Sequence, residues 1–424
     1  MNKFKFIDIF AGIGGFRRGL ESFGGDCVFS SEIDKFASQA YEVMYGDKPS
    51  GDITKVEAKD IPDHDVLASG FPCQSFSVAG NRGGFEDARG TLFFEVARIA
   101  SEKQPKALLL ENVKGLVGHD KGKTLDTIVK TINDIGYRVD FEVLNSKYFG
   151  VPQNRERIFI LAVRDDLIDN EPWNNTKGTT VVPKGKRRIS GYDDVKTFNF
   201  DWPKHEEVTT KLRDMLEPEV DEKYYLSDDK TAKLVAQLED KYEDIKGMVR
   251  GGTQKNAYEG DGSLSPTITE AMGQGGGHIP LRVEPQMLGH VDIKGNDSIK
   301  RVYSTEGINP TLTTMGGGHE PKIGERKTVI DDSKTRRGRV GKECAQTLEA
   351  SSINQGTPIK DGSRYRIRKL TPKECLRLQG FPDELFDKAQ KVNSDSQLYK
   401  QAGNSVTVNV IYEIAKKLKE HKHV

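Results

Sequence analysis

Along the first 165 residues, short apolar runs alternate with longer stretches in which apolar positions return every three or four residues. The runs fall at 4–10, 26–31, 65–68, 107–110, 138–144 and 157–163. Bounded by turn residues, they predict buried strands. The periodic stretches at 16–21, 92–100 and 125–135 predict helices that lay one face on those strands. Strand alternating with helix specifies a doubly wound α/β sheet.

The texture changes after Arg164. From about 165 to 365 the chain is polar and rich in glycine, lysine and turn residues. One stretch, 227–238, has helical spacing. A loose repeat also runs through the region. Pro266-Thr267-Ile268 leads to Gly275-Gly276-Gly277-His278, Pro310-Thr311-Leu312 to Gly316-Gly317-Gly318-His319, and Gln346-Thr347-Leu348 to Gln355-Gly356. Its irregular period predicts strand–turn–strand units rather than a solenoid. Organised patterning returns at about 366. Thr371-Pro372-Lys373-Glu374 reads as a helix start running to Gly380, and Gln401 to Val406 as the opening of a last helix over 406–418. The expected domains are therefore 1–165, an inserted region 166–365, and a segment 366–424 that returns to the first.

Composition narrows the function classes. Lys+Arg and Asp+Glu are equal at 64 each, so the formal charge is zero and any nucleic-acid contact must come from local clusters. The four cysteines (Cys27, Cys73, Cys344, Cys375) are scattered, with no CxxC and no zinc-ligand spacing. No metal site is expected, and a reduced, cytoplasmic setting is. Met1 to Phe6 holds no long apolar run, and no stretch approaches the ~20 apolar residues of a membrane span, so neither signal peptide nor membrane partner is expected.

The chemistry gathers at predicted strand ends. Ala11-Gly12-Ile13-Gly14-Gly15 follows the first strand as a tight turn before a helix, where backbone N–H groups can approach a ligand. Its spacing is not GxGxxG, which argues against a dinucleotide. Glu32 ends the second strand, a place suited to ribose hydroxyls and equally to a solvated carboxylate. Gly51-Asp52-Ile53-Thr54 is a further turn, and Glu111 follows the run at 107–110. Gly70-Phe71-Pro72-Cys73-Gln74-Ser75-Phe76-Ser77 sets a thiol between a strand and a glycine-bearing loop. Cys27, Cys344 and Cys375 read as small buried hydrophobes, Cys375 on the apolar face of its helix. Cys73 is placed for reaction rather than packing, though its spacing alone leaves a nucleophile and a small buried hydrophobe equally open.

Six segments in order carry a resemblance to the cytosine-C5 DNA methyltransferases of bacterial and phage restriction-modification systems. They are Asp8 to Gly15, Gly70 to Ser77, Glu111-Asn112-Val113, Gln153-Asn154-Arg155-Glu156-Arg157, Arg368 to Glu374, and Gly403-Asn404-Ser405. The resemblance implies a Rossmann-like S-adenosylmethionine-dependent methyltransferase domain with an inserted, mostly β or irregular target-recognition domain. Cys73 would add to C6 of cytosine and make C5 nucleophilic. Glu111 would act at N3, Arg157 at O2, and Arg155 would support the site. S-adenosyl-L-methionine would lie against Phe10, Ala11, Gly12, Ile13, Gly14 and Gly15, with Glu32 on the ribose and Ile33, Asp52 and Ile53 at the adenine. Pro72, Leu92, Asn404 and Ser405 would close its pocket. The target base must leave the duplex. Gln74, Ser77 and Arg82 on the loop, with Thr311, Arg336 and Arg337 in the middle region, would meet DNA. Thr347 rivals Thr311 for base reading, and the run Lys184 to Arg188 offers further phosphate contacts. The partner would be double-stranded DNA, the protein a monomer, with a cognate restriction endonuclease in the same system but no direct contact. An RNA cytosine methyltransferase of the same fold is the rival reading. An inactive DNA-binding module is a third, countered by the presence of Cys73, Glu111 and Arg157 together.

Overall fold

A computed structural model describes residues 3–72, 92–205, 210–225, 227 and 365–420, and between them the short strands named below. They pack as two compact units: Met1–Thr210 with Thr311–Gly317 and Pro372–Val424, and Lys211–Pro310 with Gly318–Thr371.

The first unit is built on a six-stranded sheet. Its strands are β1 (Phe4–Ile9), β2 (Gly25–Ser31), β3 (Val66–Ser69), β4 (Ala107–Val113), β5 (Tyr137–Asn145) and, after the two-residue β6 (Gln153–Asn154), β7 (Glu156–Arg164). Their order is β2-β1-β3-β4-β7-β5, parallel from β2 through β4, with β7 antiparallel to both neighbours. Alternation sorts the strand residues between two cores. Ile7, Ile9, Leu67, Leu108, Leu110, Ile158 and Ile160 face α3 (Leu92–Lys103), α4 (Lys123–Asp134) and α5 (Val181–Ile189). Phe6, Val66, Ala68, Leu109, Phe159 and Leu161 face α1 (Gly15–Ser22) and the final helix, Val408–Glu420. Burial on both faces is why these strands read as solid apolar runs.

The helices α1, α3 and α4 lie where the periodicity sets them, and α2 (Lys35–Tyr45) is an addition. Its start signal is Asp34, whose carboxylate accepts from the N–H groups of Phe36 and Ala37. After Pro372 come α6 (Pro372–Arg377), α7 (Asp383–Ala389), α8 (Asp395–Asn404) and α9 (Val408–Glu420). Gln401 to Asn404 therefore close α8 rather than open the last helix. Cys375 is fully buried, and Cys27 sits half-buried against Phe29 O (3.5 Å), its thiol pushed up to about 12 by burial and by Asp8.

The first unit reaches well past residue 165. Thr197 bridges to Val139, and Phe198 N donates to Val139 O, covering the edge strand β5. Trp173, Val182 and Ile189 join one core, Phe198 and Phe200 the other. The polar run 184–188 is largely used up here. Lys186 is buried, 2.6 Å from Asp140, and Arg188 pairs with Asp126 at 2.9 Å. Those two cations are committed to protein carboxylates rather than offered to phosphate.

The second unit is mostly β. β8 (Met248–Arg250) pairs antiparallel with β9 (Ala257–Glu259). β10 (Met287–His290) and β11 (Arg301–Ser304) are followed by β12 (Asn309–Pro310) and β13 (Lys322–Arg326). β14 (Thr328–Ile330) pairs with β15 (Arg339–Gly341), and β16 (Tyr365–Lys369) comes last. β10-β11-β13-β16 form a mixed sheet in which only β11 and β13 run parallel. The expected helix at 227–238 and the glycine repeats lie outside the described residues. No described helix is long and apolar enough to cross a membrane.

Candidate active site

The carboxyl ends of the parallel strands open into one cavity of about 440 Å³, within the ~300–1,000 Å³ usual for small-molecule sites. After β1 the chain turns through Phe10, held at φ 58, and Ala11 N donates to Ser31 O at 2.9 Å. Glu32 closes the same corner. Its Oε2 accepts from Gly12 N and its Oε1 from Asp34 N, both at 2.7 Å. Burial raises the Glu32 carboxyl above its ordinary range, against the pull of those N–H groups. Gly14 caps α1 at φ 79, and a Cβ there would stand 2.6 Å from the Tyr45 ring, so the turn admits only glycine at this point.

Ile33 is 72% exposed on the cavity lip, an apolar surface free to meet a flat ring. Asp52 lines the wall beside Ile53, its Oδ1 taken by Thr54 N and Oγ1, and those bonds hold its carboxyl below the usual range.

At the β3 end, Phe71 packs on Phe93 with ring centroids 5.4 Å apart. Asn112 Nδ2 donates to Phe71 O at 2.7 Å, and Asn112 Oδ1 accepts from Val113 N. Asn112 thus ties the backbone entering Pro72 to β4. Glu111, one strand over, lines the cavity. Its nearest register partner on β7 is Phe159, so Arg157, two residues away, lies diagonally on the same face. Arg157 Nε stands 3.1 Å from Glu111 Oε1. Burial lifts the Glu111 carboxyl in spite of Arg157 and Arg155. Burial also lowers both arginines, which remain guanidinium cations. Arg155 Nη2 donates to Gly403 O (3.0 Å) and Ser405 O (2.8 Å), bracing the last segment against the sheet.

The cavity gathers Phe10, Gly12, Glu32, Ile33, Asp52, Ile53, Pro72, Leu92, Glu111, Arg155, Arg157 and Asn404 from the sequence-based set. Ala11, Ile13, Gly14, Gly15 and Ser405 stand behind its wall. A Cβ on Gly15 would meet Ser405 Oγ at 2.7 Å, so the turn and the last segment touch there. Cys73, Gln74, Ser77, Arg82, Thr311, Thr347, Arg336 and Arg337 lie outside the described residues. Sequence reasoning missed Asp34, Asn112, Lys400, Gln401 and Gly403, all of which line the cavity. Lys400 Nζ meets Asp34 Oδ2 at 2.6 Å and, although burial opposes it, helps hold the Asp34 carboxyl low. Asp34 carried a local signal as a helix cap, and Asn112 and Gly403 stand inside quoted motifs without a role assigned to them, whereas Lys400 arrives from 366 residues away.

Residues 4–420 match the family model described as C-5 cytosine-specific DNA methylase. The orphan methyltransferase M.Rho11sI of Bacillus phage rho11s is 41% identical, over 99% of this chain and 98% of its own. The type II methyltransferase M.HhaI of Haemophilus parahaemolyticus is 36% identical, over 97% and 93%. Among solved structures, the S. pombe Dnmt2 methyltransferase aligns over 98% of this chain and 99% of its own, with a TM-score of 0.55 at 18% identity, a likeness of fold.

Proposed function

Since the chain belongs to the C-5 cytosine-specific DNA methylase family, whose methyl donor is S-adenosyl-L-methionine, we propose that it methylates a flipped-out cytosine in a specific double-stranded DNA sequence. The observation that carries this reading is the Glu111–Arg157 pair, joined at 3.1 Å on the cavity that Pro72 also lines, one residue before Cys73.

The lining residues fit the cofactor. Glu32 offers a carboxylate to ribose hydroxyls, Ile33 and Ile53 an apolar surface to adenine, and Asp52 an acceptor for its amino group. Phe10, Gly12, Leu92 and Asn404 complete the wall. When bound, the cofactor supplies an electrophilic methyl group.

The protein's own part is to activate the base. The Cys73 thiolate adds to C6 of cytosine, a bond that breaks the ring's conjugation and puts electron density on C5. Charge that develops at N3 is met by the Glu111 carboxyl, whose burial favours the protonated, donating form. Arg157 holds Glu111 Oε1 and donates toward the cytosine O2. Arg155, tied to Gly403 and Ser405, keeps that strand pair and the last segment at fixed separation. Loss of the C5 proton and release of Cys73 restore the aromatic ring. Arg82 meets a phosphate, and the middle region, through Thr311, Arg336 and Arg337, selects the target.

The named relatives include a phage orphan and a bacterial type II enzyme, which favours protective methylation in the bacterial cytoplasm, with or without a cognate endonuclease. The test is transfer of labelled methyl groups to duplex DNA. Wild-type protein labels DNA, and Cys73→Ser does not. Label that survives the substitution, or enters only RNA, rejects the reading.

A further inference from the structure

Lys+Arg and Asp+Glu balance at 64 each, so a DNA backbone must be met by particular cations near the site. A pair at the reacting end of the cavity is placed to supply one. The β4–β7 ladder ends with Val113 facing Arg157, and Val113 is a lining residue, 43% exposed. One step beyond, Lys114 Nζ stands 2.9 Å from Glu156 Oε2, with side-chain exposures of 39% and 45%. Glu156 is also tied to the site through its backbone, whose carbonyl accepts from Arg157 Nη1 at 2.9 Å. Lys114 and Glu156 thus stand on the outer rim, each next in sequence to a residue of the cavity. A pair so open to water is worth about 0–1 kcal/mol, so its cation changes partner at little cost. Lys186, whose side chain is 3% exposed against Asp140, has no such freedom.

We propose that Lys114 binds a backbone phosphate beside the target cytosine, and that Glu156 is its exchangeable counter-ion in the free protein. A base drawn in to Glu111 and Arg157 stays joined to its sugar, and the phosphates on either side of that sugar follow it to the rim. A lysine there meets them as a point charge. The exchange has a sign. Lys114 leaves Glu156 for the phosphate, and the carboxylate left behind repels the DNA. Lys114 therefore favours engagement and Glu156 opposes it. This assignment rests on the proposed function, with the cytosine held at Glu111 and Arg157.

The experiment measures kcat/KM of the full chain for labelled methyl transfer to bacterial genomic DNA free of cytosine methylation, over a series of salt concentrations. Lys114→Met is expected to lower kcat/KM about five- to tenfold at low salt and to flatten its logarithmic salt slope by about 0.9, the share of one phosphate. Lys114→Arg keeps the charge and is expected to keep the slope. Glu156→Gln is expected to raise kcat/KM about threefold at low salt. A matched pair supplies the control. Lys106 Nζ lies 2.9 Å from Asp65 Oδ1 at the opposite end of β4, so Lys106→Met and Asp65→Asn make the same charge changes away from the site and are expected to leave the slope unchanged. Every variant at an exposed pair is expected to melt close to wild type, which shows that it is folded. A wild-type slope in Lys114→Met, a fall in kcat/KM in Glu156→Gln, or equal shifts in the control pair overturns the assignment and leaves the proposed function standing. Wild-type protein that labels no DNA overturns the proposed function and this assignment with it.

Discussion

Lys186→Met removes the cation from the most enclosed ion pair among the described residues of the first unit. Lys186 Nζ lies 2.6 Å from Asp140 Oδ1, with side-chain exposures of 3% and 2%. The same carboxylate accepts from Phe141 N (2.9 Å), Phe200 N (3.0 Å) and Trp202 Nε1 (2.8 Å). At an effective dielectric constant of 20, the attraction at that separation is about 6 kcal/mol, and part of it only offsets desolvation. Stripping one partner from such a pair leaves a buried charge and costs about 3–5 kcal/mol. The Asp140→Asn, Lys186→Met double variant keeps acceptors for Phe200 and Trp202 and loses the orphaned charge, so its deficit is expected to be about 2 kcal/mol or less. The pH dependence has a definite sign. Burial raises the Asp140 carboxyl above its unfolded value in spite of Lys186, so the native state binds more protons between those two values. Stability in that window falls as pH rises, by up to about 1.4 kcal/mol per unit, and loss of Lys186 carries the fall to higher pH. The assay is intrinsic fluorescence during urea unfolding. The chain has two tryptophans. Trp173 stacks edge-on against Phe141, 5.4 Å between centroids, and Trp202 bonds Asp140, so both report on this region. A single variant as stable as wild type at pH 8, or a double variant no better than the single, refutes the reasoning.

Other outcomes follow from the site. Glu111→Gln is expected to slow single-turnover methylation by about 10²–10⁴-fold. Glu111 is raised by burial, so its useful proton is present below its folded pKa and lost as pH climbs through it; the wild-type rate should fall on that alkaline side, and an unchanged fall in Glu111→Gln would exclude Glu111 as the group responsible. Asn112→Ala leaves Phe71 O without its donor and is expected to cost about 1–3 kcal/mol of order in the chain entering Pro72, read as a drop in kcat with cofactor affinity nearly kept. Ile33→Asp is expected to weaken S-adenosylhomocysteine binding about tenfold by removing the apolar lip, measured by calorimetry. Lys400→Met breaks a half-exposed pair worth about 0–1 kcal/mol and is expected to lower stability by no more than that, read by urea unfolding.

The sheet was legible because each central strand is buried on both faces and so advertises itself as a solid apolar run, as with residues 107–110. The site was legible where its residues sit on strand ends, such as Glu32 and Glu111. Asp34 shows how a local signal can be used twice: an acid at a strand end reads as a ligand group, while the same carboxylate caps α2 and holds Lys400. Residues 166–205 misled for a different reason. Their few apolar anchors, Trp173, Phe198 and Phe200, are widely spaced, and the lysine that pins them down reads as solvated until Asp140 is seen beneath it. Lys400 carries no local sign at all, because its partner Asp34 is brought to it only by the closed chain.

That closure also sets a biosynthetic schedule. The segments that bear Glu32, Glu111 and Arg157 leave the ribosome early, but the wall from Lys400 to Asn404 and the Ser146–Thr407 bond that seats it come far later. At about 5–20 residues per second, the delay between Pro72 and Lys400 is roughly 16–66 s. A nascent or truncated chain thus carries the reacting groups but lacks one side of the cavity. Such a chain should not retain a methyl donor, so premature fragments would reach the chromosome without the means to mark it.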